Sequence, residues 1–247
     1  MVNILESFFK PKSIAVVGAS KDSRKIGHAA LKNIIISDYE CELYPVNPHE
    51  EEILGLPCYK KLTDIPNTLD LVLVSIPAKI VPKIMKDCVQ KKVKNAIIIS
   101  SGFSEVGEHG LEREVADIIK NSGMRVLGPN TMGYKNASDG LDASFVFGVP
   151  RKGNLSLISQ SGALGIGMIY LANNEFVGVS KIIGVGNKLD IDDDDLIDFF
   201  SQDDDTKVIG LYIEAVKDGR QFMNAIKACH KPVLIVKAGR SSAGARA

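Results

Sequence analysis

What this chain of 247 residues lacks narrows its class first. Neither sign of charge is in excess: Lys plus Arg and Asp plus Glu number 30 each and are interspersed over most of the sequence, so no polyanionic partner such as nucleic acid is implied. Cysteine is scarce. Cys41, Cys58, Cys88 and Cys229 stand far apart with no C-x-x-C pair, which gives no support to disulfides or zinc and fits a reducing compartment. The apolar stretches are strand-length and interrupted, none nearing the roughly 20 residues of a membrane span, and the N-terminus has no signal-peptide h-region. Internal repeats and low-complexity tracts are missing too. A cytoplasmic protein is expected, long enough for two ordinary domains that each bury a core.

What is present is an alternation. β-rich runs at Ser13 to Val17, Glu42 to Val46, Leu69 to Val74, Ala96 to Ser100 and Arg125 to Leu127 are separated by Gly27 to Ile36, Ala78 to Gln90 and Leu111 to Asn121, whose apolar residues recur at helical spacing. That order implies an α/β fold with a parallel, doubly wound, Rossmann-like sheet over residues 1–135. A second series over 151–247 has strands near Leu155 to Ile158, Ser180 to Val185, Val208 to Ile213 and Val233 to Lys237. Between the two, residues 136–150 contain Asn136-Ala137-Ser138-Asp139-Gly140, turn residues with little periodicity, and are expected to be a linker.

Ser159-Gln160-Ser161-Gly162-Ala163-Leu164 follows an apolar run and opens a helical stretch. A helix start offers unpaired N–H groups and the positive dipole end, and small residues let an anion approach the main chain, so the turn suits phosphate. Taken alone it is more often an ordinary Ser-capped helix after a buried strand. The first strand runs into Gly18-Ala19-Ser20-Lys21-Asp22-Ser23-Arg24-Lys25-Ile26-Gly27, a basic loop between glycines where such folds bind ligands. It is not G-x-G-x-x-G, and Lys21, Arg24 and Lys25 suit a ligand with an extra phosphate, although a charged loop is more commonly just solvated. Strand two ends in Tyr44-Pro45-Val46-Asn47-Pro48, without the acidic residue that holds a dinucleotide's ribose, which disfavours NAD and with it an NAD-dependent oxidoreductase. Ser75-Ile76-Pro77-Ala78, Ser100-Ser101-Gly102-Phe103 and Gly128-Pro129-Asn130-Thr131 follow the later strands. Each alone is a turn; together the strand ends form a crevice.

Jointly, V-G-A-S at 17–20, P-V-N-P at 45–48, S-I-P-A at 75–78, S-S-G-F-S-E at 100–105, G-P-N at 128–130, S-Q-S-G-A-L at 159–164, G-N-K-L-D-I-D at 186–192, Y-I-E at 212–214 and K-A-G-R-S at 237–241 resemble the α subunit of ADP-forming acetyl-CoA synthetase. The chain is similar, more distantly, to succinyl-CoA synthetase α. The resemblance spans essentially the whole chain. It implies a CoA-binding Rossmann-like domain followed by a flavodoxin-like ligase domain of succinyl-CoA synthetase type, incomplete at its C-terminal end. The implied enzyme interconverts acyl-CoA, ADP and phosphate with acid, CoA and ATP through acyl phosphate and phosphohistidine. ATP or ADP and magnesium would sit on a β subunit or fused ATP-grasp region, in an oligomeric assembly.

By that resemblance CoA contacts fall on Gly18, Ala19, Ser20 and Lys25 for the phosphates and on Asn47 and Pro48 beside the adenosine. Ile76 and Pro77 would lie along the pantetheine, with Ser101, Gly102, Phe103 and Asn130 near the thiol. Ser159, Gln160, Ser161 and Gly162 would line the phosphoryl site, and Glu214 would pair with the phosphoryl-accepting imidazole, fixing its tautomer. Two departures stand out. Thr131 occupies a position where succinyl enzymes commonly carry Cys beside the thiol. The family's Ser-His-Thr-Gly segment follows K-x-G-R-S, whereas this chain stops at Ala247, and none of His28, His49, His109 and His230 lies in such a context; alone, the chain is expected to be inactive. A CoA-binding regulatory module, as in fusions to an acetyltransferase, is the alternative. The run Asp190, Asp192, Asp193, Asp194 and Asp195 is expected to be a helix start complementing the dipole rather than a metal site.

Overall fold

A computed structural model describes residues 5–239. After a short helix α1 (Glu6–Phe9), the chain builds β1 (Ser13–Val17), α2 (Ile26–Ile36) and β2 (Glu42–Val46). A small antiparallel pair follows, β3 (Glu52–Ile53) and β4 (Leu56–Pro57), then β5 (Leu71–Val74), α3 (Val81–Gln90), β6 (Asn95–Ile98), α4 (His109–Ile119) and β7 (Arg125–Leu127). The first sheet is wholly parallel in the order β2-β1-β5-β6-β7. Every residue of β1, β5 and β6 is buried, as expected of parallel strands covered on both faces. Each fully buried Val or Ile contributes about 1.5–3 kcal/mol relative to exposure.

The second sheet contains β8 (Gly133–Asn136), β9 (Leu141–Ser144), β10 (Lys152–Ser159), β11 (Val179–Gly184), β12 (Val208–Ile213) and β13 (Val233–Lys237), with helices α5 (Gly162–Asn174), α6 (Asp193–Gln202) and α7 (Gly219–Ala228). Its order is β13-β12-β10-β11-β8-β9, parallel except for the hairpin β8–β9, which adds antiparallel to β11. The stretch expected to be a linker therefore supplies sheet. Ser138-Asp139-Gly140 turns the hairpin, with Gly140 at φ +83°, and its buried lysine, Lys135, is paired with Asp142.

The two sheets share a core. One cluster of buried side chains runs from Phe8, Phe9, Ile14 and Leu31 through Tyr134 to Ile158, Ile183, Phe200 and Ile213. Tyr134 donates its hydroxyl to Phe8 O at 2.7 Å, and Asn33 on α2 donates to Ser144 O and Val146 O at 2.9 and 3.1 Å. The aspartate run behaves only partly as expected. Asp192 caps α6 with Asp195 in a capping box, but Asp193 is buried against Lys188, and Arg125 pairs with Asp190 and Asp195. Among the described residues no helix is long and apolar enough to cross a membrane.

Candidate functional site

Strand order reverses between β1 and β5, which is where an open α/β sheet opens a crevice at the carboxyl ends of its strands. The sequence builds that crevice by close approach. Gly18, at φ +90°, leaves β1 where a Cβ would lie 2.1 Å from Ser75 O, and Gly27 on α2 lies where a Cβ would be 1.9 Å from Gly18 O. Only glycines let the start of α2, with its unpaired N–H groups, press onto the end of β1. Ser100 knits the neighbouring strand ends together: its hydroxyl donates to Ile76 O at 2.6 Å and accepts from Ile76 N at 3.1 Å. The resulting cleft has a volume of about 1420 Å³.

Its lining includes Gly18, Ser20, Lys25, Asn47, Pro48, Ile76, Pro77 and Ser101 from the sequence reading, together with Arg24. Ala19 and Phe103 are 0 % exposed, so beside the cleft they offer main chain and packing rather than side-chain surface. Gly102 and Asn130 flank the cleft rather than line it; Asn130 is tied to Ser100 O through its N–H at 2.9 Å. Asn47 has spent its amide on the loops: Nδ2 donates to Ala19 O at 2.8 Å and Oδ1 accepts from His49 N at 2.9 Å. Lys21 turns away to pair with Glu50 at 2.8 Å, which raises its pKa through that hydrogen bond. Thr131 is buried and donates to Gly184 O at 2.5 Å, stapling the two sheets instead of facing a thiol.

Sequence reasoning missed His49, Lys60, Lys61 and Lys83, which also line the cleft. Lys25, Lys60, Lys61 and Lys83 face it beside Asp87, its one carboxylate among the described residues, while Arg24 pairs its guanidinium with Asp22 at 2.9 Å. Charges that alternate along a neutral chain are thus sorted in space, and no motif announces this because three separate segments supply the lysines.

The second sheet has its own reversal, between β10 and β12. There Gln160 follows β10, and its Oε1 accepts from both Glu214 N and Ala215 N at 2.9 Å. Gln160 is a strut between the two strand ends. Ser159 is 0 % exposed and donates its hydroxyl to Ser161 O at 2.7 Å, so it shapes the turn rather than presenting a donor outward. Ser161 caps α5, accepting from Leu164 N at 3.4 Å. Gly162 meets open space, leaving the helix start accessible beside the exposed Glu214. Arg240 and Ser241 of K-A-G-R-S lie outside the described residues.

The segment from Gly186 to Asp192 joins the two regions. Asn187 Nδ2 donates to Glu105 Oε2, Glu112 Oε2 and Ser104 Oγ at 2.7, 2.8 and 3.1 Å. Glu105 also accepts from Gly102 N and Phe103 N. Its burial would raise its pKa, but those hydrogen bonds outweigh the burial and lower it. Lys188 donates to Asp192, Asp193 and Ala215 O, each at 2.8 Å.

Two family models match: a CoA binding domain over residues 12–137 and a succinyl-CoA ligase like flavodoxin domain over 152–247. The α subunit of acetate–CoA ligase (ADP-forming) II from Pyrococcus furiosus is 43% identical over 99% of this chain and 54% of its own length. The chain belongs to the CoA binding domain family. Acetate–CoA ligase (ADP-forming) II of Archaeoglobus fulgidus is 44% identical over 98% of the chain and 37% of its own. The dinucleotide forming acetyl-coenzyme A synthetase 1 of Ca. Korarchaeum cryptofilum, solved with phosphate and ADP, superimposes with a TM-score of 0.95 at 44% identity, over 99% of this chain and 54% of that one. The chain thus spans about half the length of such family α chains, and less of the longer members. These relatives are ligases, which does not favour the acetyltransferase-fusion alternative.

Proposed function

We propose that this chain is the α part of an ADP-forming acyl-CoA synthetase, binding CoA and phosphate while a β subunit or fused ATP-grasp region holds nucleotide and magnesium. The cationic cleft at the first strand reversal carries the reading. At about 1420 Å³ it exceeds the ~300–1,000 Å³ of an ordinary ligand pocket, and its Arg and Lys side chains suit the phosphates of a long ligand. Lys25 and the first amides of α2 face the diphosphate, Ile76 and Pro77 lie along the pantetheine, and Ser101 and Asn130 stand at the thiol end.

Phosphate belongs at the open start of α5, among Ser161, Gly162 and the main chain held by Gln160, where a helix terminus neutralises transferring charge. A phosphate oxygen attacks the thioester carbonyl, the C–S bond breaks with CoA as leaving thiolate, and acyl phosphate results; an imidazole nitrogen then attacks its phosphorus, the P–O bond to the acyl group breaks with the carboxylate leaving, and the phosphoryl group passes on to ADP, giving ATP and free imidazole. Glu214 accepts the N–H of that imidazole and leaves its other nitrogen free to attack phosphorus. Neither His28 nor His230 is placed to serve. His28 binds Ser20 O through Nδ1, and His230 precedes the amino end of β13, across the sheet from Glu214.

Calorimetric titration of the chain with CoA, 3′-dephospho-CoA and NAD tests the reading. Tight binding of CoA, at least about tenfold weaker binding of the dephospho form (~1.4 kcal/mol) and none of NAD is expected. Absence of CoA binding, or a preference for NAD, would overturn it.

A further inference from the structure

We propose that Asn187 and Lys188 are positioning residues that tie the thiol end of the CoA crevice to the phosphate loop, so that occupancy of either site favours the other. The inference rests on the reading above and adds a coupling to it. Carboxylates only accept hydrogen bonds, so Glu105 and Glu112 fix the Asn187 amide with its NH2 toward them, and Asn130 Nδ2 reaches its Oδ1 at 3.4 Å. Glu105 in turn gathers Gly102 N and Phe103 N. Any ligand that shifts the loop from Gly102 to Glu105 therefore moves Asn187.

The next residue is committed to the other site. Lys188 donates to Ala215 O, Ala215 N shares Gln160 Oε1 with Glu214 N, and Lys217 Nζ donates back to Lys188 O. From Gly102 to Gln160 the connection is hydrogen-bonded throughout, passing between sites within two adjacent residues. Positive φ angles at Gly186 and Lys188, +58° and +59°, give the tight turn that sends neighbouring side chains to different loops; for lysine this is a sparsely populated conformation that the surroundings must hold. Asp193, buried beside it, accepts from Lys188 Nζ through Oδ2 at 2.8 Å.

The test is a reciprocal titration of the whole chain: CoA with and without saturating inorganic phosphate, and phosphate with and without saturating CoA. Linkage requires each ligand to tighten the other by the same factor, expected to be about fivefold or more in the unaltered chain. In Asn187→Ala each ligand alone should bind within about twofold of the unaltered chain while that factor falls to about one. Lys217→Met, at an exposed position, releases the clamp on Lys188 and should lower the same factor without touching the buried cluster. A merely structural role would lower thermal stability and leave the factor alone. If both ligands bind the unaltered chain independently or compete, or if both variants keep the factor, the coupling is wrong and the CoA reading stands; failure of CoA to bind the unaltered chain removes the reading and the coupling together.

Discussion

Gly27 shows how one atom can decide the cleft. Its φ is ordinary, and alanine in a helix interior is favoured over glycine by ~0.5–1 kcal/mol, so propensity alone predicts a gain for Gly27→Ala. The added Cβ would sit 1.9 Å from Gly18 O, a main-chain atom that cannot swing aside, so α2 must lift from β1. We expect a loss of about 1–3 kcal/mol, typical of overpacking, and at least tenfold weaker CoA binding, measured by urea unfolding and calorimetry. Gly162→Ala, where the new atom meets open space, is the control and should leave stability unchanged or slightly raised. Equal urea midpoints for Gly27→Ala and the unaltered chain would show that the contact does not set the position of α2. The same scale shows where sequence reading stops. Asn47, Ser159 and Gln160 were legible as polar residues at strand ends, but spacing does not reveal whether a side chain faces a ligand or the next loop, and all three face loops.

At the scale of elements, the parallel strands were legible as short, mostly apolar runs set between helical patterns; β1, β2, β7, β12 and β13 match the expected limits. The hairpin β8–β9 was not, since its buried positions include Lys135, neutralised by Asp142, and charge hides a strand from any hydrophobic pattern. β11 and α6 are fastened by a similar pair. Lys181, 1% exposed in its side chain, donates to Asp203 at 2.8 Å, and Thr206 also donates to Asp203. Burial pushes the Asp203 carboxyl up, but these hydrogen bonds outweigh it and hold its pKa below the usual value. A carboxyl with a depressed folded pKa stabilises above its unfolded pKa, near 4, and that stability is lost as pH falls through the folded value. Between pH 5 and pH 2 the urea midpoint of the unaltered chain should therefore drop more steeply than that of Asp203→Asn. At neutral pH the variant should be less stable by about 3–5 kcal/mol, because Lys181 is left buried without its counter-charge. Parallel acid profiles would show that Asp203 is not a source of the pH dependence.

At the scale of the whole molecule, a CoA-binding model that ends at residue 137 and a turn-rich stretch just beyond it both suggest a cut that the packing forbids. A fragment of residues 1–137 keeps β8 but loses β9 and β11, the strands that pair with it. It loses Ser144 and Val146, which hold the buried Asn33 of α2, and Gly184, which holds Thr131. It also uncovers the ring of Phe9, which lies 4.7 Å from that of Phe199 and 6.1 Å from that of Phe200. Re-exposing a large buried apolar side chain costs about 1.5–3 kcal/mol, and a buried polar group stripped of its partner about 1–3 kcal/mol. A few such losses equal the 5–15 kcal/mol by which a domain is ordinarily stable. The complete chain should therefore melt in a single transition seen alike by near- and far-ultraviolet circular dichroism. The 1–137 fragment should show no sharp melt, bind a hydrophobic dye and take up CoA weakly if at all. A fragment that melts cooperatively at the temperature of the complete chain would show that the shared core adds nothing to the first sheet, and the route from CoA cleft to phosphate loop would then have to run through Asn187 and Lys188 without support from the packing beneath them.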